Sequence, residues 1–346
     1  MSAPRPALSR RKKLLFLLVY VAVLAITFFA LAELVVRLRG EKPYALRDTQ
    51  INVEPGGSLF TNHPTLGYTH RAGTFTVTLP GPYSFKVTHL PNTLRVTHPL
   101  DTYNSSTNKP AIWIMGCSFT HGWTLNDEDS YPWLLQTAMT EYEIGNFGVN
   151  GYGTLHSLLQ FQEHLKTDPK AAIVVLAYSP FHDERSAMVR NWRKAVAPYN
   201  RLGLVSQPFA RLDSQSQLKI DLRPVEYREW PLMRLSAFVH FLEQRWNQLD
   251  DRAARTHAVS EALVKRFAQL CREQNIQFVL AGITRDAGPM LEFCEREKIL
   301  HTDIAVNLNE EGSRNLPYDD HPSAKSHRAY AQKLEAFLRD KVLGKK

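Results

Sequence analysis

The first apolar feature of the chain is an uncharged run of 19 residues, Leu14–Ala32. At about 1.5 Å per residue, a helix over this run would be roughly 28 Å long, close to the hydrocarbon thickness of a bilayer. Four basic residues, Arg10–Lys13, precede it, and the positive-inside rule then places the N-terminus in the cytoplasm. We therefore predict a basic cytoplasmic tail over residues 1–13 and a transmembrane signal anchor over Leu14–Val36. A cleaved signal peptide is the alternative, because Ala30-Leu31-Ala32 resembles a cleavage site. Either way, the rest of the chain is exported, which predicts a membrane protein with a periplasmic or extracytoplasmic domain.

The next segment, residues 41–110, alternates apolar and polar positions with a period of two. Thr74–Leu79 and Tyr83–Thr88 show this pattern, and Pro80-Gly81-Pro82 between them is typical of a turn. The sequence thus predicts a hairpin within a small β-rich lead-in.

From Ala111 to the C-terminus, short apolar runs alternate with segments of helical periodicity. Strands are predicted over 111–115, 142–147, 172–177, 277–283 and 303–306, and helices over 131–142, 154–167, 258–274, 289–298 and 323–342. This alternation is typical of an α/β fold with a doubly wound, mostly parallel five-stranded sheet, here over 111–346. A charged, aromatic-rich stretch at about 184–250 interrupts it, and we interpret this stretch as a helical insertion that covers the strand ends.

Charge and cysteine content narrow the function classes. The formal net charge is +8, but five positive charges lie before Glu33 with no acidic residue among them, so the remainder carries only +3. That balance does not indicate a nucleic-acid partner. Cys117, Cys271 and Cys294 show no zinc-site spacing, although a Cys271–Cys294 bridge stays open in an oxidising compartment.

Four polar segments occur where predicted strands end, which is where an open α/β sheet places its active site. The first is GCSFTHGW, in which a glycine and Ser118 follow a buried strand, and a helix follows them. GNFGVNGYGT follows the second strand, and YSPFHDE follows the third. Before the last helix, DDHPSAKSHRAYA places a histidine beside two carboxylates, which suits a general base oriented by an acid.

Together with DEDSYPWLLQ after the first segment, these motifs resemble the GDSL, or SGNH, hydrolase family in its membrane-anchored bacterial branch. The resemblance covers about residues 111–340 and the lead-in motif His63–Tyr68. It implies a flavodoxin-like SGNH hydrolase fold and ester chemistry through a Ser-His-Asp triad, with no cofactor and no metal.

The resemblance also implies roles for individual residues. Ser118 matches the nucleophile, His321 the base, and Asp319 the acid that orients His321, with Asp320 as the alternative acid. The backbone N–H groups of Ser118 and Gly151 match donors of the oxyanion hole.

Two positions depart from the family pattern. Cys117 replaces the usual aspartate of the first motif, and we expect it to pack rather than react. His182 aligns with the asparagine whose side chain normally completes the oxyanion hole, and a ring N–H of His182 could take over that role. Loss of one such donor costs about 10²–10³-fold in turnover, so His182 bears on activity.

These features predict an exported serine esterase or acyl hydrolase, or an O-acyltransferase, acting on an ester of a carbohydrate or lipid, with a cell-envelope glycan preferred. One alternative is metal-assisted hydrolysis by His182, Asp183, Glu184 and His321, although their spacing is not compact. The other is a catalytically degenerate binding or scaffold protein of the envelope. An intact donor at His182 favours the enzyme, and an averted one favours the scaffold.

Overall fold

One long N-terminal helix precedes alternating strands and helices in the computed structural model, which describes residues 9–46, 51–102, 108–168, 170–197, 202 and 205–344. Residues 1–8 of the predicted cytoplasmic tail lie outside the described residues. The helices are α1 (Arg10–Leu38), α2 (Ser118–His121), α3 (Tyr131–Ala138), α4 (Thr154–Thr167), α5 (Phe181–Ala187), α6 (Arg190–Val196), α7 (Ala237–Ala254), α8 (Thr256–Glu273), α9 (Gly288–Arg296) and α10 (Ala324–Phe337). The strands are β1 (Asn52–Glu54), β2 (Phe60–His63), β3 (Gly67–His70), β4 (Gly73–Leu79), β5 (Tyr83–His89), β6 (Ala111–Gly116), β7 (Glu143–Gly148), β8 (Ala171–Tyr178), β9 (Ser206–Leu212), β10 (Leu218–Pro224), β11 (Gln277–Gly282) and β12 (His301–Asp303). One-turn 3₁₀ segments lie at Leu100–Thr102, Asp127–Asp129 and Arg285–Ala287, and α10 continues as a π-helical segment, Leu338–Leu343.

The central sheet has five parallel strands in the order β12-β11-β8-β6-β7. β6 is the first strand of this sheet along the chain. The chain then forms β7 at the neighbouring edge and crosses back to form β8 on the other side of β6. That reversal of direction creates a crevice at the carboxyl end of β6. The predicted fold class, a doubly wound parallel α/β sheet, is confirmed.

Two apolar cores cover the two faces of this sheet, because successive side chains of a strand point to opposite sides. Trp113 and Met115 of β6 pack in the core built with α4, α8 and α9. Ile112 and Ile114 pack in the core built with α3 and α10. Strands buried on both faces appear in the sequence as continuous apolar runs, which is why they were predictable.

Most observed element boundaries differ from the prediction by one or two residues, and two of the differences have a visible cause. The last strand is His301–Asp303 rather than 303–306, because the carboxylate of Asp303 accepts the N–H of Ala305 (2.8 Å) and turns the chain away. α3 ends at Ala138 rather than 142, since the Gln136 side chain bonds Tyr142 O and Ile144 N and so fixes the entry to β7.

The lead-in contains the predicted hairpin. β4 and β5 pair antiparallel, with Thr78 opposite Ser84 across Pro80-Gly81-Pro82, and β1 adds a third strand. Their inward side chains form a separate apolar cluster that also contains Trp123, from the segment after the candidate nucleophile. The lead-in therefore packs against the segment that follows Ser118.

The predicted helical insertion at 184–250 is wrong in part. α6 and α7 are helical, but β9 and β10 between them form an antiparallel hairpin. The Asp213 carboxylate accepts the N–H groups of Gln215 and Gln217 (2.9 Å each), and this local turn closes the hairpin. Charged residues and two prolines conceal the period-two pattern of these strands.

The chain divides into two compact units, and the insertion is split between them. One unit contains Met1–Arg47 and Arg228–Leu249, and the other contains Asp48–Tyr227 and Asp250–Lys346. Within the first unit, α1 is long and apolar enough to cross a membrane, and none of its most apolar 18 residues is buried.

Candidate active site

Ser118 is the first residue of α2, two residues beyond β6. Gly116 ends the strand, and a side chain there would collide with the Thr120 side chain, whose hydroxyl bonds the Tyr131 hydroxyl (3.0 Å). Gly116 therefore provides space for the helix that follows the strand. Cys117 is buried, as expected for a packing residue.

Ser118, His321 and Asp319 form one hydrogen-bonded line. His321 Nε2 lies 2.8 Å from Ser118 Oγ, and His321 Nδ1 lies 2.5 Å from Asp319 Oδ1. The backbone N–H of His321 also donates to Asp319 Oδ1 (2.8 Å), so the two residues form a closed local turn. The three side chains that the sequence singled out, 203 residues apart at the extremes, are brought together.

The protonation pattern of this line follows from its donors and acceptors. Burial would raise the pKa of Asp319, but hydrogen bonds and the charge of His321, with a further bond from Trp123, lower it below its usual value. An ionised carboxylate only accepts, so His321 carries its proton on Nδ1 and Nε2 accepts from the Ser118 hydroxyl.

Asp320, the alternative acid, faces elsewhere. Its carboxylate lies 3.5 Å from Arg314 and is largely exposed to solvent. The structure thus places Asp319, and not Asp320, on the imidazole.

The two backbone donors predicted for an oxyanion hole lie on neighbouring strand ends. Gly148 pairs with Gly116, and the Val149 N–H donates to Gly116 O (3.2 Å), which brings the loop after β7 alongside the loop that carries Ser118. Among the described residues, the N–H groups of Ser118 and Gly151 donate to no acceptor. Gly151 has φ +84, and a Cβ there would lie 2.5 Å from the Tyr68 hydroxyl, so only glycine suits this position.

His182, the third predicted donor, does not present a donor to solvent. Its side chain is fully buried in α5 between the rings of Tyr178 and Phe181. Both ring nitrogens are inaccessible and have no hydrogen-bond partner in the described part of the chain. Burial, and next the charge of Arg185, lower the pKa of His182 well below its usual value, so the ring is neutral. The expected replacement of the family asparagine is therefore not seen, because the aromatic packing of α5 turns the ring inward.

Sequence reasoning missed the residue that holds the nucleophile segment in place. Arg95 is fully buried and donates to the carbonyl oxygens of His121 and Gly122 (2.7 Å each) and of Leu125 (2.7 Å). Its Nε also bonds Asp127 Oδ1 (3.0 Å). Its burial was not expected, since an isolated arginine is usually solvated even where its neighbours, here Leu94 and Val96, are apolar.

Only one histidine cluster in the described ranges brings ligand atoms within 4.8 Å of one another: His70, His89 and His121. His70 stacks parallel on His89 (4.0 Å, 6°), so their in-plane lone pairs do not converge on one point. The buried Arg95 guanidinium, whose charge acts on all three rings, also opposes a divalent cation. We therefore assign no metal to this cluster.

The residues of the alternative metal-assisted reaction form no cluster of ligand atoms in the described part of the chain, and they have separate partners. Asp183 accepts the Tyr178 hydroxyl (2.7 Å) and binds His257 (2.9 Å), and Glu184 binds Asn191 (2.7 Å), while His321 belongs to the Ser118 line. The three cysteines are free thiols. The disulfide between Cys271 and Cys294 that the sequence left undecided is therefore absent.

An apolar cavity of about 320 Å³ adjoins the candidate site. Gly151 and Trp123 line one part of it, and Trp123 is the residue whose indole also bonds Asp319. The remaining wall is mainly aliphatic and aromatic and comes from the lead-in and the insertion, including Val53, Leu59, Phe60, Val196 and Val225.

No protein-family model and no curated protein sequence matches this chain. Solved structures similar to it include a member of the lipolytic protein G-D-S-L family from Veillonella parvula (10% identity, 66% of this chain and 98% of that chain, TM-score 0.39). A GDSL-like lipase from Bacteroides thetaiotaomicron (12%, 70% and 94%, TM-score 0.37) and a psychrotrophic esterase from Pseudoalteromonas sp. (11%, 67% and 97%, TM-score 0.36) are also similar. The sequence motifs resemble the same family, and at these identities we infer function from the site itself.

Proposed function

We propose that this chain is a membrane-anchored serine hydrolase of the GDSL type that cleaves ester bonds. The observation that carries the proposal is the hydrogen-bonded line from Ser118 Oγ through His321 to Asp319. Nucleophile, base and orienting acid are each within hydrogen-bond reach of the next, which is the geometry that covalent acyl transfer needs.

In the proposed reaction, Ser118 Oγ attacks the ester carbonyl while His321 Nε2 takes the hydroxyl proton. Asp319 holds the imidazole in the tautomer that makes Nε2 the acceptor and stabilises the imidazolium that forms. The N–H groups of Ser118 and Gly151 stabilise the oxyanion. His321 then returns the proton to the leaving alcohol, and water releases the acid by the same steps in reverse.

A sugar or other hydroxyl in place of that water would make the same chain an O-acyltransferase. Both reactions share the acyl-enzyme on Ser118, so they differ only in what enters the site second. The ratio of transfer to hydrolysis, measured with a carbohydrate acceptor beside water, separates them.

The substrate we propose is an ester whose acyl group has an apolar chain of several carbons, attached to a carbohydrate or lipid alcohol. The apolar cavity beside Gly151 and Trp123 supports this choice, because its volume lies within the range of small-ligand pockets. An acetyl group would leave most of that apolar surface uncovered.

For location, we propose that α1 spans the membrane with the N-terminus in the cytoplasm, so that the hydrolase domain is exported. The exposed apolar surface of α1 supports the span, and the basic residues Arg10–Lys13 at its start support the orientation.

A second function class is a catalytically degenerate envelope binding or scaffold protein. The burial of His182 favours it, since the third oxyanion donor is missing. An enzyme with two backbone donors would be slower by about 10²–10³-fold than one with three, yet still active.

Labelling of the full-length protein in detergent with a fluorophosphonate distinguishes the two classes. Wild type is expected to be labelled, Ser118→Ala is not, and Asp320→Asn serves as a matched control that should be labelled like wild type. Absence of labelling in wild type, together with no hydrolysis of hexanoyl esters, would refute the enzyme and leave the scaffold.

A further inference from the structure

In the middle of helix α7, two polar side chains are buried while three apolar ones are exposed. Glu243 and Asn247 are buried, at 0% and 4% exposure, and bond each other (2.9 Å). The apolar residues Leu242, Trp246 and Leu249 are exposed. A helix of a water-soluble domain normally turns its apolar stripe inward. The exposed apolar face of α7 therefore indicates a contact with something other than water.

The exposed apolar side chains of α7 share one face with the half-buried Phe238. Phe238, Leu242, Trp246 and Leu249 follow one another at intervals of three and four residues, the spacing of one helix face, and Leu235 precedes them in the turn before the helix. We call this set the α7 stripe. Leu235, at 74% exposure, is among the most exposed apolar residues outside α1.

The start of the α7 stripe packs on α1 within its apolar run. The Phe238 ring lies 6.3 Å from the Phe28 ring and 5.8 Å from the Phe29 ring, in edge-to-face geometry. Both phenylalanines belong to the uncharged run Leu14–Ala32.

Hydrogen bonds fix this junction. The Glu33 carboxylate accepts the Ser236 hydroxyl (2.7 Å) and the first two N–H groups of α7, from Ala237 (3.0 Å) and Phe238 (2.9 Å). Arg37 bonds Glu33 and also donates to Leu235 O (3.1 Å). A side chain of α1 therefore caps α7, and the two helices hold a defined relative position.

The junction sets the depth of the α7 stripe. If the hydrocarbon core ends near Ala32, then Phe28 and Phe29 lie about 4–6 Å below that boundary, at about 1.5 Å per residue. Amphipathic helices at a membrane surface bury their apolar face about 5–10 Å deep, which is the same range. Trp246 and the neighbouring Arg245, whose cation lies over the Phe241 ring, are residue types that favour this interface.

We propose that the α7 stripe lies in the interface of the lipid bilayer, on the side of the membrane where α1 ends. This inference rests on the proposed membrane-spanning role of α1. The occupant of the apolar face is lipid rather than a partner protein, because the contact with Phe28 and Phe29 already places Phe238 at membrane depth. The protein then has two membrane contacts, a spanning helix and a surface helix joined to it at Glu33.

Spin labelling of the full-length protein tests the proposal. The three native cysteines are buried, so single cysteines can be labelled at chosen exposed positions, with the unsubstituted protein as background. Leu235→Cys and Leu249→Cys report on the stripe. Leu222→Cys, on the hairpin strand β10, is a matched control because Leu222 and Leu249 are 55% and 56% exposed. Val21→Cys in α1 is the membrane reference.

The labelled proteins are reconstituted in vesicles of phosphatidylethanolamine and phosphatidylglycerol, and collision with oxygen is compared with collision with a water-soluble nickel chelate. Labels at 235, 249 and 21 are expected to collide more with oxygen, and the label at 222 more with the chelate. Labels at 235 and 249 that behave like 222 would overturn the proposal. Labels there that are shielded from both reagents would also overturn it, because a protein would then cover the stripe. A chelate-accessible label at 21 would instead mean that α1 does not span the membrane.

Discussion

Acid pH is expected to unfold this protein well before its carboxylates titrate, because it buries several neutral histidines. His70, His156 and His327 are each fully buried, and burial followed by the charge of a nearby arginine lowers each pKa from 6.5 to about 3. These arginines are Arg95 for His70 and His327 and Arg185 for His156.

Proton linkage gives the direction and the size of the change in the free energy of unfolding with pH. Below pH 6.5 the unfolded chain binds a proton at each of these histidines and the folded chain does not, so stability falls as pH falls, until about pH 3. At pH 5, about 1.5 units below the unfolded pKa, each histidine costs about 2 kcal/mol, or about 6 kcal/mol for all three. That loss is comparable to the whole stability of an ordinary domain, roughly 5–15 kcal/mol.

Guanidinium unfolding of the full chain in non-ionic detergent, followed by near-UV circular dichroism at pH 7 and pH 5, measures this loss. His156→Phe should reduce this loss by about 2 kcal/mol, since a phenylalanine keeps the stacking on Tyr152 but binds no proton. Leu158→Ala, a buried position of the same helix that binds no proton, is the control and should lower stability at both pH values while keeping the full pH dependence. A wild-type free energy of unfolding that is level between pH 7 and pH 5 would refute the reasoning.

Three further predictions concern the site. Asp319→Asn should lower kcat for ester hydrolysis by about 10³–10⁴-fold, because the required imidazole tautomer of His321 is lost. Asp320→Asn should leave kcat near wild type, and equal effects of the two variants would contradict the assignment of Asp319 as the orienting acid. His182→Phe should change kcat by less than about threefold, and a loss of about 10²-fold or more in steady-state assays would instead place its ring at the oxyanion. Each added CH₂ of a p-nitrophenyl ester should raise kcat/KM by about fourfold until the cavity is full, from about 0.8 kcal/mol per CH₂. Val225→Phe should abolish the rise of kcat/KM with acyl length but leave hydrolysis of the acetate ester unchanged, whereas Leu222→Phe, outside the cavity, is the control and should behave like wild type. If the rise persists in Val225→Phe, the cavity does not bind the acyl group.

The sheet and the position of Ser118 were predictable because they depend on local sequence. Strands of a parallel sheet are buried on both faces and read as apolar runs, and the ends of those runs mark the edge where the site lies. Thr154–Thr167 was predicted with the observed bounds because its helical periodicity is bounded by a glycine before and a proline after it.

The structure of the insertion was not predictable because its strands lack a clear alternation of polar and apolar residues, and because its helix α7 exposes its apolar face. β9 and β10 carry prolines and charges, and only the turn at Asp213 marks the hairpin. In α7 the amphipathic periodicity is present in the sequence, but periodicity does not say which face is buried. The ordinary assumption is that the apolar side chains of a helix are buried, but in α7 Leu249 is exposed and Glu243 is buried.

The fate of the predicted site residues shows which kinds of position a motif determines. Asp319 and His321 are two residues apart, and the carboxylate binds both the backbone N–H and the ring of His321, so their pairing is enforced within a single turn. Gly151 offers a backbone group, whose placement depends only on the loop. His182 offers a side chain on a helix, and its direction depends on which neighbours fill the surrounding volume. Tyr178 and Phe181 fill it with aromatic rings, and a ring packed among them is retained as part of the core. The position of a backbone group or of a closed local turn can therefore be predicted from a motif, whereas the position of a single side-chain rotamer needs the tertiary structure.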